Sequence, residues 1–143
     1  MRNWTKNIIK LSLYTYFLCC LFVIPNNINA QTKTSNSKAN IVFEKTSHDY
    51  GVIFAGDNGE VIFKFKNEGK SPLIINNVVA SCGCTSPQWS KDPVMPSQSG
   101  EISITYNTNI ISDIKRSITV STNDPEKPRI VLILTGKVIR KEH

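Results

Sequence analysis

Hydrophobic and polar residues alternate with a period of two along much of this chain. Three segments beyond residue 60 have apolar residues at every second position: Val61, Phe63 and Phe65; Ile102, Ile104 and Tyr106; and Ile118 and Val120. The positions between and beside them are mostly charged residues, serine or threonine. Side chains of a β-strand point alternately to opposite faces, so each segment predicts a strand with one buried face.

Four other segments are strand candidates of a different kind. Leu73 to Ala80 and Ile130 to Leu134 are apolar more continuously. Such runs indicate central strands that are covered more fully than the rest, and we predict that position for both. Ile41 to Phe43 and Gly51 to Phe54 are shorter and predict strands near the start of the region.

Turn-forming residues separate the strand candidates. They fall in four clusters: Gly56 to Gly59, Asn67 to Pro72, Pro96 to Gly100, and Asn123 to Pro125. Glycine, proline, asparagine and aspartate each favour the backbone angles or local hydrogen bonds of turns. Short strands between regular turns, without a helical period, predict an all-β fold, an antiparallel β-sandwich of about seven strands.

The first thirty residues have the order of an export signal. Arg2, Lys6 and Lys10 make the start basic, Leu11 to Ile24 is apolar, and Ile28-Asn29-Ala30 supplies a cleavage site. The apolar run is shorter than the roughly 20 residues of a membrane span. We therefore predict a signal peptide over residues 1–30, cleaved after Ala30, with an uncleaved anchor as the alternative. The protein is then exported, periplasmic or secreted, with no integral membrane span after cleavage.

Composition divides the remainder into two parts. Residues 31–40 are rich in threonine, serine, asparagine and lysine, so this segment is predicted to be a flexible tether. Residues 41–141 have the apolar content and the length of one globular domain, too short for two hydrophobic cores.

Net charge gives little support for nucleic-acid binding. The chain has 17 basic and 11 acidic residues, a formal charge of +6. The signal peptide contains three of the basic residues and none of the acidic ones, so its removal leaves +3. No dense basic cluster with interleaved aromatic residues is present beyond it, and we expect no nucleic-acid partner.

Ordered blocks along the globular region resemble a known family. The blocks are His48 to Gly51, Phe63 to Gly69, Ala80 to Thr85, Ser99 to Ile102, and Ile118 to Asn123. On these residues the chain is similar to the secreted domain-of-unknown-function family 1573 of Gram-negative bacteria, which resembles immunoglobulin-like modules of the major-sperm-protein type. The resemblance implies an exported immunoglobulin-like sandwich and brings no established reaction or ligand with it.

Candidate chemistry is concentrated in Ser81-Cys82-Gly83-Cys84-Thr85. The other two cysteines lie inside the predicted signal peptide. In a straight strand Cys82 and Cys84 would point to one face, and a disulfide between them needs Cα atoms closer than about 6.8 Å. The chain must then bend, and Gly83 is expected to make the bend easy. A structural disulfide is the favoured interpretation, although so small a loop stabilises the fold little.

Two alternatives for the cysteine pair stay open. A strained disulfide is reduced easily, so a thiol-redox role is one of them. The other is copper handling, because two thiolates bind soft ions such as Cu(I), and Met95 and His48 would complete the site if the fold brings them near. No resident cofactor is expected otherwise.

Neighbouring residues complete the candidate site. Ser81, Gly83, Thr85 and Trp89 are expected to form its surface, with Trp89 either packed over the cysteines as a lid or exposed as a binding anchor. His48 and Asp49 do not form a hydrolytic triad with any serine in a nucleophile elbow, so no enzyme is predicted.

The sequence as a whole predicts an exported, non-catalytic binding or assembly module. Its partner would be an unknown protein or envelope component, held by the Ser81 to Trp89 segment or by an edge strand.

Overall fold

The structure, a computed structural model, describes residues 37–142. Eight β-strands and no helix occur in this range. A helix long and apolar enough to cross a membrane is therefore absent from the described residues. The strands are β1 (Ile41–Phe43), β2 (Ser47–Phe54), β3 (Glu60–Asn67), β4 (Ile75–Ala80), β5 (Thr85–Trp89), β6 (Ser99–Tyr106), β7 (Asp113–Thr122) and β8 (Arg129–Ile139).

The strands form a sandwich of two four-stranded sheets. Sheet A has the order β1-β3-β6-β5 and sheet B the order β2-β8-β7-β4. The predicted all-β sandwich is confirmed, with eight strands instead of about seven. One pairing departs from the antiparallel prediction, because β2 runs parallel to β8. The chain changes sheet after β1, β2, β3, β4 and β6, and the β1–β2 and β4–β5 connections join edge strands at opposite edges of the sandwich.

Alternation along the strands builds the core between the sheets. On β3 every second residue is buried, and the residues between them face solvent. The inward residues of the four central strands are Val61, Phe63 and Phe65 on β3, Ile102, Ile104 and Tyr106 on β6, Ile114, Ile118 and Val120 on β7, and Leu132, Leu134 and Val138 on β8. The period-two predictions for the segments that form β3, β6 and β7 are confirmed.

The prediction of central strands was wrong for one of the two continuously apolar segments. The Leu73 to Ala80 segment forms the edge strand β4, and its Val79 is 54% exposed. The Ile130 to Leu134 segment does lie inside sheet B, yet Val131 is 49% exposed. A two-layer sandwich leaves one face of each sheet uncovered by the described chain, so a continuous apolar run here does not mean burial on both faces.

Part of the predicted tether is ordered against the domain. Ala39 is buried, and the carbonyls of Lys38 and Asn40 accept hydrogen bonds from the N–H groups of Lys70 and Glu68, at 2.9 and 2.8 Å. The tether prediction was therefore wrong for Lys38 to Asn40. Residues 31–36 and the predicted signal peptide lie outside the described residues.

Both edges of sheet A are protected against pairing with another strand. The outward N–H and C=O of Ile41 on β1 bind the Asp124 carboxylate and the Lys127 ammonium, each at 3.0 Å. Along β5 the backbone N–H and C=O groups point alternately toward β6 and away from it. The Cys84 carbonyl points toward β6, where it accepts from the Asn107 N–H, so the backbone N of Pro87, three residues on, points away from β6. Proline has no N–H to offer there.

The edges of sheet B are irregular as well. On β4 the Val78 N–H is not free to donate to a further strand, because it donates to the side-chain oxygen of the preceding Asn77 at 2.9 Å. The register of β4 against β7 also shifts between Ile75 and Asn77. On β2 the register shifts between Asp49 and Val52. Bulges of this kind interrupt an edge and discourage strand addition.

The bulge in β2 places a tyrosine toward one end of the sandwich. Gly51 in the bulge has φ 63° and Gly136 opposite it has φ 141°, both in a region that favours glycine. A Cβ on Gly136 would lie 3.0 Å from the Tyr50 Cβ, so the absent side chain leaves room for Tyr50. Tyr50 Oη then donates to the Gly59 carbonyl at 2.7 Å.

Loops gather at two ends of the sandwich. The loops 55–59, 81–84 and 107–112 lie at the end we call the cysteine end. The loops 68–74, 90–98 and 123–128 lie at the opposite end, which we call the Asn67 end after the last residue of β3.

A buried carboxylate at the Asn67 end ties β1 to the β7–β8 loop. Asp124 is 1% exposed and accepts N–H hydrogen bonds from Ile41, Glu126 and Lys127 at 3.0, 2.8 and 3.2 Å. Burial alone would raise the pKa of Asp124, but these hydrogen bonds and the Lys127 charge outweigh it and lower the pKa. The folded state therefore favours the ionised carboxylate.

We expect Asp124→Asn to lower the free energy of unfolding by about 1–3 kcal/mol at pH 7, because buried N–H donors lose a charged acceptor. A pKa lowered by folding adds stability above the unfolded value of about 3.9, and this is lost as pH falls through the folded value. Urea unfolding at pH 7 and pH 3 should show a weaker loss on acidification for the variant. Glu126→Gln, which changes an exposed carboxylate of the same loop, is the control. Equal stability and equal acid sensitivity of Asp124→Asn and wild type would contradict this role.

Candidate functional site

The cysteine pair lies where the chain crosses from sheet B to sheet A. Cys82 and Cys84 follow β4 and precede β5, and their sulfurs form a disulfide with Cα atoms 5.2 Å apart. This separation is within the usual disulfide range. The bond closes a loop of only three residues, and chain entropy then limits its contribution to the free energy of unfolding to about 1.5 kcal/mol.

Hydrogen bonds hold the crossing segment to both sheets. The Ser81 N–H donates to the Ser117 carbonyl of β7 at 2.9 Å, and the Ser117 N–H donates to Ser81 Oγ at 3.2 Å. The Cys84 carbonyl accepts from the Asn107 N–H, next to β6, at 2.9 Å. The disulfide is therefore fixed in place by backbone contacts on either side.

Gly83 is not required by the bend between the cysteines. Its φ lies outside the left-handed region, and a Cβ built on it would meet nothing within 4 Å. The bend that we expected Gly83 to make easy therefore uses backbone angles that are open to any residue.

Arg116 is part of the site and was missed from the sequence. Its Nε–H donates to Cys84 Sγ at 3.2 Å, and its Cζ lies 6.0 Å from the centre of the Tyr106 ring. Arg116 occupies an inward position of β7, between the fully buried Ile114 and Ile118. A charged residue in the apolar phase of an alternating strand is a signal that the sequence does contain.

A cleft of about 450 Å³ opens beside the disulfide. The three loops of the cysteine end line it, together with the ends of β5 and β6. Its residues are mostly polar and include Asp57, Asn58, Gly59, Gly83, Cys84, Ser86, Thr105, Tyr106, Asn107, Thr108 and Asn109. Loop-to-loop hydrogen bonds shape it, among them Thr108 Oγ1 to the Asp57 carbonyl at 2.7 Å.

Two tyrosines stand behind this cleft. The ring centres of Tyr50 and Tyr106 are 6.4 Å apart, and Tyr106 is 1% exposed. Burial, and secondarily Tyr106, raises the pKa of Tyr50 to about 12. The Tyr50 hydroxyl therefore stays protonated at neutral pH and remains a donor to Gly59.

The remaining residues of the predicted surface are placed differently from one another. Ser81 and Gly83 are exposed. Thr85 is buried, and its Oγ1 lies 3.6 Å from Cys82 Sγ and 3.8 Å from Cys84 Sγ. Trp89 lies at the far end of β5, packs against the core, and its Nε1 is 3.4 Å from the Ile75 carbonyl. The described contacts of Trp89 are with the core and Lys91, and none is with the cysteines.

The residues of the copper alternative are not gathered together. Met95 follows Val94, which pairs with Leu73 just before β4. The cysteines follow the other end of this six-residue strand, which is about 20 Å long. His48 pairs with Leu134, and Leu134 with Arg116, so about 10 Å separates the His48 backbone from that of Arg116. Within residues 37–142 no group of three or more histidine, cysteine or acidic side chains is placed to hold a metal ion.

His48 makes a packing contact instead. Its ring meets the Tyr50 ring edge-on, with centres 4.5 Å apart. Burial first, and then the nearby Lys45 charge, lower the pKa of His48, while Asp49 opposes the shift. A neutral imidazole at pH 7 follows.

The chain belongs to the family described as "Protein of unknown function (DUF1573)", whose profile matches residues 41–138. This confirms the resemblance seen in the sequence. No curated protein matches the chain at a significant level.

Solved structures confirm the immunoglobulin-like fold. A protein of unknown function from Porphyromonas gingivalis W83 has a TM-score of 0.65 and 18% identity, covering 76% of this chain and 51% of its own. The PapD-like domain 7 of human CEP192 has a TM-score of 0.61 and 12% identity, and the match covers 73% of this chain and 89% of the CEP192 domain. The CupB2 chaperone of Pseudomonas aeruginosa has a TM-score of 0.50 and 14% identity, and the match covers 68% of this chain and 55% of CupB2. The chain thus spans about half the length of the Porphyromonas protein, and these identities show fold alone.

The open space at Gly83 leads to a prediction with a matched comparison. Gly83→Ala is expected to change the free energy of unfolding by no more than about 0.5 kcal/mol. Gly59→Ala places a Cβ against the Tyr106 carbonyl and 2.9 Å from Thr108 Cγ2, so it should destabilise by about 1–3 kcal/mol. Thermal and urea unfolding of both variants measures the difference. Equal destabilisation by the two substitutions would contradict the described geometry of the cysteine crossing.

Proposed function

We propose that this protein is an exported, non-catalytic binding or assembly domain that holds another envelope protein through the loops of its cysteine end. The observation that carries the proposal is the convergence of three loops on a polar cleft that is bordered by exposed apolar side chains. Loops placed by a rigid sandwich are the usual binding elements of immunoglobulin-like folds.

The apolar side chains are Ile110 and Ile111. They are 41% and 50% exposed and adjacent in the loop 107–112, next to the cleft residue Asn109. Exposed aliphatic residues at a loop tip contribute nothing to the core, and such residues are effective anchors when a partner buries them. Together with the polar cleft they give this end both apolar contact area and hydrogen-bonding groups, the two components of protein–protein interfaces.

The loop that presents these isoleucines is held at several points. The Asn109 N–H binds its neighbour Asn107 through Oδ1 at 3.1 Å, and the Ser112 carbonyl accepts from the Val138 N–H at 2.9 Å. Thr108 binds the facing loop through Asp57. A surface shaped before binding loses less conformational entropy when a partner docks.

Strand addition at an edge is not the mode we propose, although the sequence left it open. Each of the four edge strands in the described sandwich is interrupted or capped: β1 by Asp124 and Lys127, β5 by Pro87, and β4 and β2 by register shifts. Edges treated in this way discourage pairing with a further strand.

Export and the nature of the partner follow from two further lines of support. The basic, apolar and small-residue order of residues 1–30 favours a signal peptide, and so a periplasmic or secreted protein. The fold is shared with a protein named a chaperone, CupB2, and a binding role for this chain agrees with that likeness. An enzyme is not favoured, because among the described residues no nucleophile is hydrogen-bonded to a base that is itself oriented by a third group.

Site-specific photocrosslinking in the cells of origin tests this assignment. A photoreactive amino acid at position 111 should yield a discrete crosslinked envelope protein, identified by mass spectrometry, whereas the same probe at position 131 should not. Val131 is a fair comparison, because it is 49% exposed and lies on the outer face of sheet B, away from the cysteine end.

Substitution provides the matching loss of function. Ile110→Ser with Ile111→Ser should abolish the crosslink from a probe at Asn58 across the cleft, without lowering the melting temperature, since both side chains are exposed. Val131→Ser should leave it intact. A partner that crosslinks equally from positions 111 and 131, or that survives the double isoleucine variant, would place the binding surface elsewhere.

A further inference from the structure

The disulfide at the cysteine end has a positive charge directly against one of its two sulfurs. Arg116 Nε–H donates to Cys84 Sγ at 3.2 Å, whereas the polar neighbour of Cys82 Sγ is the uncharged Thr85 hydroxyl at 3.6 Å. The surroundings of the two sulfurs therefore differ in charge, although the cysteines are only two residues apart.

A carboxylate does not neutralise this arginine. Between residues 37 and 142 the ion pair present is Lys38 with Glu126, at the Asn67 end. Arg116 instead donates from Nη1 to the Lys115 carbonyl at 3.0 Å and lies against the Tyr106 ring. Its charge remains available to an anion that forms on Cys84.

The two sulfurs also differ in how they are packed. Cys84 packs against the hydrophobic core, whereas Cys82 is not among the residues packed there. Both residues are partly exposed, and the cleft beside the disulfide is lined by Cys84 and not by Cys82. Exposure therefore does not separate the two sulfurs, and the difference that bears on their chemistry is that Cys84 lies between the core and the Arg116 charge.

We infer that Cys82–Cys84 is a thiol–disulfide exchange site for dithiols, in which Cys82 is attacked and Cys84 leaves as a thiolate on Arg116. A substrate thiolate forms a bond to Cys82 Sγ, the Cys82–Cys84 bond breaks, and its electron pair goes to Cys84 Sγ. The second substrate thiol loses its proton and attacks the mixed disulfide at the substrate sulfur. The substrate becomes a disulfide, and Cys82 and Cys84 each end as a thiol after taking up a proton.

The stoichiometry closes without another reactant. The substrate loses two electrons and two protons, and the Cys82–Cys84 disulfide, which the chain itself supplies, gains them. A leaving thiolate that is stabilised leaves faster, which is the contribution we assign to Arg116 as a positioning and charge-stabilising residue. The inference stands apart from the proposed partner binding, because its test needs only thiol reagents.

Reduction of the oxidised full chain by dithiothreitol tests it. The rate at pH 7 is followed by acid quenching and intact mass, and Arg116→Gln should react about tenfold more slowly than wild type, since the leaving thiolate loses a charge-assisted hydrogen bond. The equilibrium with dithiothreitol should shift about tenfold toward the disulfide as well. Lys115→Gln removes the neighbouring cation on the opposite face of β7 and should match wild type in both measurements.

Further variants keep the outcome decisive. Arg116→Lys retains the charge, so its disulfide should be reduced by dithiothreitol at a rate nearer to wild type than that of Arg116→Gln. If Arg116→Gln fails to fold, the reduction rate of Arg116→Lys is compared with that of Lys115→Arg instead. In Cys82→Ser the free Cys84 should form a mixed disulfide with oxidised glutathione at pH 7 faster than the free Cys82 does in Cys84→Ser, because Arg116 favours the Cys84 thiolate. Rates and equilibria of Arg116→Gln within twofold of wild type, or faster reaction of Cys82 than of Cys84 with oxidised glutathione, would overturn the inference.

A comparison of dithiols identifies the source of the substrate. A reduced two-cysteine peptide that reacts faster than dithiothreitol at equal thiolate concentration would assign a polypeptide substrate, and the reverse order would assign a small dithiol. Failure of both to react faster than glutathione alone would contradict a dithiol specificity.

Discussion

The buried side chain of Asn67 fixes the register on which the rest of the sandwich depends. Its Nδ2 donates to the Ser71 and Val94 carbonyls at 2.8 and 2.9 Å, and its Oδ1 accepts from the Gly69 N–H at 2.9 Å. Asn67 is 0% exposed, so each of these bonds replaces one that water would otherwise make. A slip of one residue in β3 would leave this amide unpaired and turn Phe63 and Phe65 away from the core. The alternation of apolar residues along β3 and the hydrogen bonds of Asn67 at its end therefore specify the same register.

This anchoring divides the molecule into a tied end and an available end. At the Asn67 end the buried Asp124 joins β1 to the β7–β8 loop, and the Gly69 turn lies directly against Lys38 and Asn40. Side chains there are occupied in holding loops together. At the cysteine end the loops are also hydrogen-bonded, yet they enclose a cleft and present two exposed isoleucines. The sandwich can hold such a surface because the stability of the register is supplied elsewhere.

The sequence predicts the features that depend on local periodicity and misses those that depend on distant pairing. The alternating segments become β3, β6 and β7 as expected, because burial of one face is encoded in each strand by itself. The edge position of β4 could not be predicted in that way, since it depends on which strands pair. The strand β5 was not predicted from the sequence because it contains Pro87, and proline is rare in strands except at a free edge. The cysteine pair was visible in the sequence, whereas Arg116 became part of the site only when the phase of β7 placed it inward.

The inward position of Arg116 carries the physical argument for chemistry at this end. Arg116 lies between Ile114 and Ile118 and is only partly exposed, with its guanidinium against the Tyr106 ring, one carbonyl and a disulfide sulfur. The disulfide closes too small a loop to add much to the free energy of unfolding, so loop closure does not explain the cysteine pair. The exchange we infer gives the contact a purpose, because the Arg116 hydrogen bond to Cys84 becomes charge-assisted when the disulfide opens and Cys84 becomes a thiolate.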